Sequence, residues 1–459
     1  MTSVDVVQDF LSAIYKHTIT TLYRRFDRGV MQMTKIDFVL TVPAIWSDSA
    51  KSRMESAAAR AGMGNEHRLQ LLSEPESAAI YTIKSLDKAH SQFEVHDRVV
   101  ICDAGGGTVD LISYEIMQIA PQLSVVECTA GTGDFCGSTF IDREFDKLFA
   151  QRMGHHYNNV SLLNRQQTVK NFEATKAAFR DDPSQPMFYV NVPTVGTLEQ
   201  CRVYGGNFEI TQGEMRALFD VVIDQVVSLI SAQVTKVTDS SHSVNAILLV
   251  GGFGESEYLY KRVYDWASPA NIQVIQPGHA ATSIVRGAVM KGLEPKGGSA
   301  KTEIKRRARR SYGVAGSHTF IDGRHLESDA FVDECTGQKM AGNQINWFIR
   351  KNQILTDDEK FRYQFSRTFR RLKPWHDRLV ACSLDQPPSR REQAVTALCS
   401  VTSDLTHLKR RKFLMRFNKF KPYFTAHYAI LCGFENSNLK FTVEFKGQEY
   451  GIANVEFDA

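Results

Sequence analysis

No Cys-x-x-Cys pair occurs among the eight cysteines (Cys102, Cys128, Cys136, Cys201, Cys335, Cys382, Cys399 and Cys432), which are scattered along the chain. That spacing argues against a zinc site and a disulfide framework, and it predicts a reduced, intracellular setting. No apolar run approaches the roughly 20 residues that span a bilayer. The opening MTSVDVVQDFLSA carries neither a basic stretch nor a small-residue cleavage site, so neither a secretory signal nor a membrane partner is expected. No repeat of fixed period is present. No ladder of aromatics interleaves with the basic residues, which weighs against nucleic acid as a partner. What remains is an ordinary globular composition, 459 residues at 43% hydrophobic and 23% charged, long enough for about three domains.

The net charge of +4 hides an asymmetry. Beyond residue 300 the chain holds 28 Lys and Arg against 18 Asp and Glu, whereas the preceding part has a deficit of 6. The excess is clustered at Lys305-Arg306-Arg307 with Arg309-Arg310, and at Lys409-Arg410-Arg411-Lys412. Such runs read as a solvated linker and loop face, or else as a nuclear signal or nucleic-acid patch.

Strand and helix patterns alternate over the first 293 residues, which argues for α/β layers. Val7, Phe10, Leu11, Ile14 and Tyr15 mark an amphipathic helix over 4–29. Asp37–Pro43 reads as a buried strand, Ser47–Gly62 as a helix, Leu69–Leu72 as a strand, and Glu76 to about Lys88 as a helix. Strands are predicted at Arg98–Asp103 and Val109–Ile116, and helices at Thr139–Met153 and Leu163–Arg180. Strands follow at Phe188–Val192 and Gln200–Tyr204. Thr211–Thr238 reads as a long helix opened by a Thr211/Glu214 capping box. Ala246–Val250 is a buried strand, a helix begins near Glu255, and Ala281–Lys291 is a helix. Residues 294–310, with Pro295–Ser299 inside them, read as a basic linker. After residue 311 the period becomes two, as in Phe441, Val443 and Phe445. A hairpin with its turn at Glu435–Asn438 and a β-rich domain over 311–459 are therefore expected. Within it, Trp347-Phe348-Ile349 reads as core.

Three segments carry chemistry. Asp103-Ala104-Gly105-Gly106-Gly107-Thr108-Val109-Asp110 lies between two strands. Glycines strip the turn of Cβ atoms, so successive amides can approach phosphate oxygens. Thr108 adds a hydroxyl, and Asp103 can hold Mg²⁺ through water. The alternative is a plain glycine hairpin. In Ala246–Gly254 a strand hands over to glycines and then to a helix, a pattern that can lie against a base or ribose. Glu74, locked by Pro75, either orients water or metal or caps the following helix.

Together these segments resemble the nucleotide-binding domain of the 70-kDa heat-shock proteins, in the actin-like ATPase superfamily. The similarity rests on VLTVPAIWSDSAKSRMESAAARAG (39–62), LLSEPESAAIYTIKSL (71–86), VVICDAGGGTVDLISYEI (99–116), AGTGDFCGSTFIDREFDKLF (130–149), ILLVGGFGESEYLYKRV (247–263) and SIVRGAVMKG (283–292). It covers about residues 4–293. The CGSTF loop and β-rich tail are closer to divergent fungal- and metazoan-type members. The resemblance implies a two-lobe, ribonuclease H-like α/β domain over 1–293, and ATP or ADP with Mg²⁺ as cofactors. Client polypeptides and co-chaperones are the implied partners. A cytoplasmic location is expected, with the nucleus as the alternative. It places Glu74 near the attacking water, Asp103 and Asp110 at the metal, and Gly105, Gly106, Gly107 and Thr108 at the phosphates. Glu173, Lys176, Gly251 and Gly252 fall at the adenosine. Phe253, Ala177 and Pro277-Gly278-His279-Ala280 depart from the family's serine, arginine and acidic "PDEA" region. The family's opening "GIDFGTT" loop and a later lysine have no counterpart in this sequence. The N-terminal lobe is therefore expected to be incomplete, from a clipped gene model or a degenerate relative. Two functions follow: a chaperone-like ATPase driven by hydrolysis between lobes, or an impaired pseudo-ATPase that binds nucleotide or protein. A sugar kinase of the same superfamily is a distant third.

Overall fold

A computed structural model describes residues 2–64, 68–90, 93–239, 242–295, 301–356, 359–419, 421–435, 438–452 and 454–457. In chain order its elements open with α1 (Ser3–Arg25), α2 (Arg28–Met33), β1 (Asp37–Val42), α3 (Asp48–Ala58), β2 (Arg68–Ser73), α4 (Glu74–His90), β3 (Arg98–Ala104), β4 (Val109–Gln118) and β5 (Ser124–Asp134). Then come α5 (Thr139–Met153), α6 (Leu162–Ala177), β6 (Met187–Asn191), β7 (Val203–Tyr204), β8 (Asn207–Thr211), α7 (Gln212–Thr238), β9 (Ala246–Val250), α8 (Glu257–Ala267), β10 (Gln273–Ile275) and α9 (Ser283–Gly292). The chain divides into two compact units, one of Val39–Ile45 with Leu72–Glu303, the other of Met1–Phe38, Trp46–Leu71 and Ile304–Ala459. This division differs from one drawn at residues 293 and 311, because α1 and α3 cluster with the C-terminal strands. Within that unit Tyr312 donates its hydroxyl to Asp48 at 3.3 Å, and Lys440 pairs with Glu55 at 3.2 Å.

The first unit is built on strands in the order β10-β9-β3-β4-β5, with a small β6-β8-β7 sheet beside them. Helix α7 is its main core helix. Thr211 and Glu214 form the expected capping box, and Met215, Leu218, Phe219, Val222, Ile223, Val226, Ile230, Val234 and Val237 are buried at helical spacing. By length and composition α7 is apolar enough to cross a bilayer, contrary to the expectation that no apolar run approaches that length. Its apolar face is buried against the unit's own core. Gln233 is fully buried there, donating to Ser113 and Thr129 at 3.0 and 3.1 Å and accepting from Thr132 at 3.1 Å. Its polar ends are thereby satisfied, as burial requires. Helices α4 and α9 cross on small residues: Ala78, Ala79 and Ala288 are buried. A Cβ on Gly287 would stand 1.7 Å from the carbonyl oxygen of Ser77.

The other unit carries β11 (Glu303–Arg307, of which all but Glu303 belong here), β12 (Ser311–Thr319), β13 (Ala330–Val332), β14 (Lys339–Ile349), β15 (Ile354–Leu355), β16 (Lys360–Phe369), β17 (Trp375–Cys382), β18 (Val395–Ser403), β19 (Leu414–Asn418), β20 (Lys421–Glu435), β21 (Asn438–Phe445), β22 (Gln448–Ile452) and β23 (Asn454–Phe457). The orders β13-β14-β12-β17-β18-β23 and β16-β20-β21-β22, with β19 on β20, make two antiparallel sheets. Tyr312, Leu379 and Val401 of one sheet share a core with Tyr428, Ile430 and Phe441 of the other, the packing of a β-sandwich. Asp377, 4% exposed, sits in it and accepts from Tyr428 at 2.8 Å and from Arg367 at 2.8 Å. In the Trp347-Phe348-Ile349 strand Ile349 is fully buried.

Several local expectations are corrected. The helix over 4–29 breaks at Phe26-Asp27, where Asp27 caps α2 by accepting from Gly29. Its apolar stripe is largely open, with Phe10 65% exposed and only Leu11 buried. Gln200–Tyr204 is a 3₁₀ turn followed by the two residues of β7. Strand β5 was not anticipated. Residues 303–307, expected in a linker, form β11, which pairs with β15. Lys296–Ser299, and the tip of the 435–438 turn at 436 and 437, lie outside the described residues. All eight cysteines are unbridged thiols. Cys102, Cys136 and Cys201 are buried in the first unit, and Cys382, Cys399 and Cys432 in the second.

Candidate functional site

The site is confined to the first unit. β3 and β9 are continuous apolar runs, as suits strands covered on both faces. They lie parallel, with Val99 through Asp103 opposite Ala246 through Val250. Their carboxyl ends therefore stand side by side, where ligands collect in α/β sheets.

β3 and β4 pair as far as Ala104 and Val109, and Gly105 donates its amide to Thr108 at 3.0 Å. This closes a four-residue loop. Its carbonyls are held by the start of α5: Ser138 donates to Gly105 at 3.1 Å, Thr139 to Gly106 at 2.9 Å and Gly137 to Gly107 at 3.3 Å. The Thr139 hydroxyl adds a second bond to Gly106 at 2.8 Å. In a trans peptide each carbonyl is anti to the next N–H, so the amides of Gly106, Gly107 and Thr108 all face away from α5. Gly106 and Gly107 are exposed. The loop thus presents three consecutive amides outward, the arrangement that cradles phosphate oxygens.

Gly137 makes this lock possible. A Cβ there would lie 2.4 Å from the Gly106 oxygen and 2.7 Å from the Gly107 nitrogen. Gly137→Ala is therefore expected to push the loop off α5, at about 1–3 kcal/mol. Urea melts would show the loss, and hydrogen exchange would show faster labelling at 105–108.

The neighbouring charge is negative. Glu74 is pushed up to about 7, chiefly by burial and then by Asp110. Asp103, 4% exposed, is held well above the usual carboxylate range by burial, then by the charges of Glu74 and Asp110. Asp110 accepts from the Ile45 amide at 3.4 Å. Among the described residues neither Glu74 nor Asp103 has a Lys or Arg partner, so nothing offsets the repulsion between these two carboxylates. No three His, Cys, Asp or Glu of the described residues come close enough to ligate an ion directly. The helix-capping role considered for Glu74 belongs to Glu76, which exchanges bonds with Ser73 at 3.3 and 3.4 Å. This leaves the Glu74 carboxylate outside the cap.

Gly251 closes the second side. Its φ is +84°, and a Cβ would stand 2.5 Å from both Asp103 Oδ1 and the Ala104 oxygen. Only glycine lets the backbone press this closely on Asp103. Its amide donates to Ala280 at 3.1 Å, and Gly252 beside it is exposed. Lys176 bonds Asp142 at 2.7 and 2.8 Å and the Ser138 carbonyl at 3.1 Å, tying α6 to the start of α5. Glu173, on the same helix, is exposed. Asp103, Asp110, Glu74, Gly251 and the 105–108 loop thus come together, with Lys176 acting behind the loop. Gly137, Ser138 and Asp142 were missed in the sequence. Their signal was an acidic residue in the first turn of a helix that follows a glycine.

Comparison with known proteins is consistent with this architecture. Residues 26–293 match the family described as Hsp70 protein, and residues 306–452 match a family described only as a domain of unknown function. Heat shock 70 kDa protein 12A of Mus musculus is 26% identical over 398 residues, covering 69% of this chain and 56% of that protein. Heat shock 70 kDa protein 12B of Homo sapiens is 24% identical over 442 residues, covering 80% and 62%. Chaperone protein HscA of Proteus mirabilis is 24% identical over 294 residues, covering 64% and 42%. The chain spans less than two thirds of the length of each of these relatives. The matched family implies an actin-like ATPase fold for the α/β region, followed here by a β-rich C-terminal part. The chain belongs to the Hsp70 protein family.

Proposed function

We propose that this chain binds ATP or ADP with Mg²⁺ at the carboxyl ends of β3 and β9, hydrolyses ATP there, and works as a cytoplasmic chaperone-like protein on client polypeptides with co-chaperones. The observation that carries this is the meeting of three outward amides at 106–108 with the carboxylates of Glu74 and Asp103, neither of which has a Lys or Arg partner among the described residues. The amides of Gly106, Gly107 and Thr108 and the Thr108 hydroxyl would hold phosphate oxygens. Asp103 and Asp110 would hold Mg²⁺ through its waters, since that ion keeps several. The ion would supply charge neutralisation on the transferred phosphoryl group. Glu74, with its pKa near 7, can take a proton from water close to neutral pH. Gly251 and Gly252 would give a ribose or base close access to the backbone, and the exposed Glu173 would meet the nucleoside, while Lys176 holds the start of α5. The crossing of α4 and α9 would be the place where nucleotide state bends the unit.

A nucleotide-binding module without turnover is the second reading. It is favoured by Glu74 and Asp103, which among the described residues have no Lys or Arg neighbour to offset charge on a transferred phosphoryl group. Calorimetry with Mg-ATP and a phosphate-release assay, on the native chain and on Asp103→Ala, separate the two. Binding with turnover that falls at least about 100-fold in Asp103→Ala supports hydrolysis. Binding without turnover supports the second reading. Absence of binding sinks both.

A further inference from the structure

The basic run Lys409–Lys412 is not used by this function. It lies over the outer face of the β16-β20-β21-β22 sheet. On that face Ser366 of β16 is registered opposite His427 of β20, and Gln364 opposite Ala429. Above them lies a cavity of about 720 Å³ whose lining includes Gln364, Ser366, Thr425 and His427. Arg411 and Lys412 enter it from a 3₁₀ turn at Arg410–Lys412. Lys446 also lines it, on the two-residue Lys446-Gly447 turn between β21 and β22. The φ values of that turn, 52° and 76°, are those of a tight hairpin turn.

Two independent observations point to a ligand. Among the described residues the side chains of Gln364, Ser366, Thr425 and His427 make no hydrogen bond to protein, although they stand together. Among the same residues Arg411, Lys412 and Lys446 form no ion pair, while the carboxylate in the lining, Glu444, is already taken by Arg362 at 2.7 Å. Unpaired cations on a rim and unused donors and acceptors on a floor call for an anion with a polar body. The volume is that of a small-molecule pocket. Of the aromatic rings in the lining, Phe413, Tyr428 and Phe445 are buried and the half-buried Phe365 is stacked on Tyr428, so little of the stacking surface that a single-stranded nucleic acid needs is offered.

We propose that this cavity is a binding site for a small phosphomonoester, its phosphate between Arg411, Lys412 and Lys446 and its hydroxyl-bearing body on Gln364, Ser366, Thr425 and His427. This does not depend on the nucleotide reading. The test is calorimetric titration of the full chain with glucose 6-phosphate, and with glucose as the uncharged comparison. The expected result is a Kd of about 1 mM or tighter for the phosphate ester and none measurable for glucose. Arg411→Glu/Lys446→Glu should weaken binding at least tenfold. Ser366→Val/His427→Phe should lose the preference for glucose 6-phosphate over inorganic phosphate. Thermal melts that match the native chain would show that both variants are folded. Equal titration of the native and charge-reversed proteins overturns the proposal. So does binding of a single-stranded RNA oligonucleotide with no heat from glucose 6-phosphate.

Discussion

Gly287→Ala should unfold the first unit about 10 °C below the native chain, through a loss of roughly 3 kcal/mol or more. The added methyl would sit 1.7 Å from the Ser77 oxygen and 2.5 Å from the Ser77 carbonyl carbon. Neither atom belongs to a flexible side chain that could swing away. Relief requires α9 to lift off α4, which opens voids around Ala78, Ala79 and Ala288. Gly213→Ala is the matched control. It also places alanine in a helix, but nothing lies within 4 Å of the new Cβ. That change should be neutral, or should stabilise by about 0.4–1 kcal/mol through the unfolded chain. Urea or thermal melts of the three proteins decide the point. A Gly287→Ala protein as stable as the Gly213→Ala control would mean that the crossing is loose.

Glu74→Gln should act in opposite directions on stability and on catalysis. Burial and the Asp110 charge raise the Glu74 pKa from 4.5 to about 7. A carboxyl group whose folded pKa is raised favours folding most when protonated. Its contribution is therefore complete below about pH 4.5, is lost as pH rises toward 7, and stays lost above. The glutamine variant does not titrate. In metal-free buffer it should match the native chain near pH 4.5 and exceed it by about 1–2 kcal/mol at pH 8, the figure being discounted for partial exposure. Turnover should fall by about 10²–10⁴, the usual worth of a positioned base. Such a trade of activity against stability is common where a site concentrates like charges. Melts at pH 5 and pH 8, read beside phosphate release, check both halves. An equal stability gap at the two pH values would remove Glu74 from the electrostatic cluster.

How far the sequence could be read depended on how local each interaction is. Continuous apolar runs such as Ala246–Val250 and the Thr211/Glu214 box announce themselves within a few residues, and both form as expected. The glycine loop was legible too, because its chemistry follows from the absence of Cβ atoms. Strand β5 was not, since Gly133 and Asp134 carry little strand propensity and owe their conformation to pairing with Asp110 and Val109 of β4. Strand β11 was hidden by its cations, which mimic a linker. Lys176 could be aligned but not understood. Its partner Asp142 lies 34 residues earlier on another helix, and no spacing rule connects them. Glu74 and Glu76 are indistinguishable as text. Only the geometry around Ser73 assigns the cap to Glu76 and leaves Glu74 to the carboxylate cluster.

The distribution of cysteines gives the molecule a built-in clock. Three interior sulfhydryls reside in each compact unit, Cys102, Cys136 and Cys201 in one and Cys382, Cys399 and Cys432 in the other. An alkylating reagent can reach either set only after its surroundings breathe. The order in which the two trios become modified would therefore reveal which half of the polypeptide loosens first.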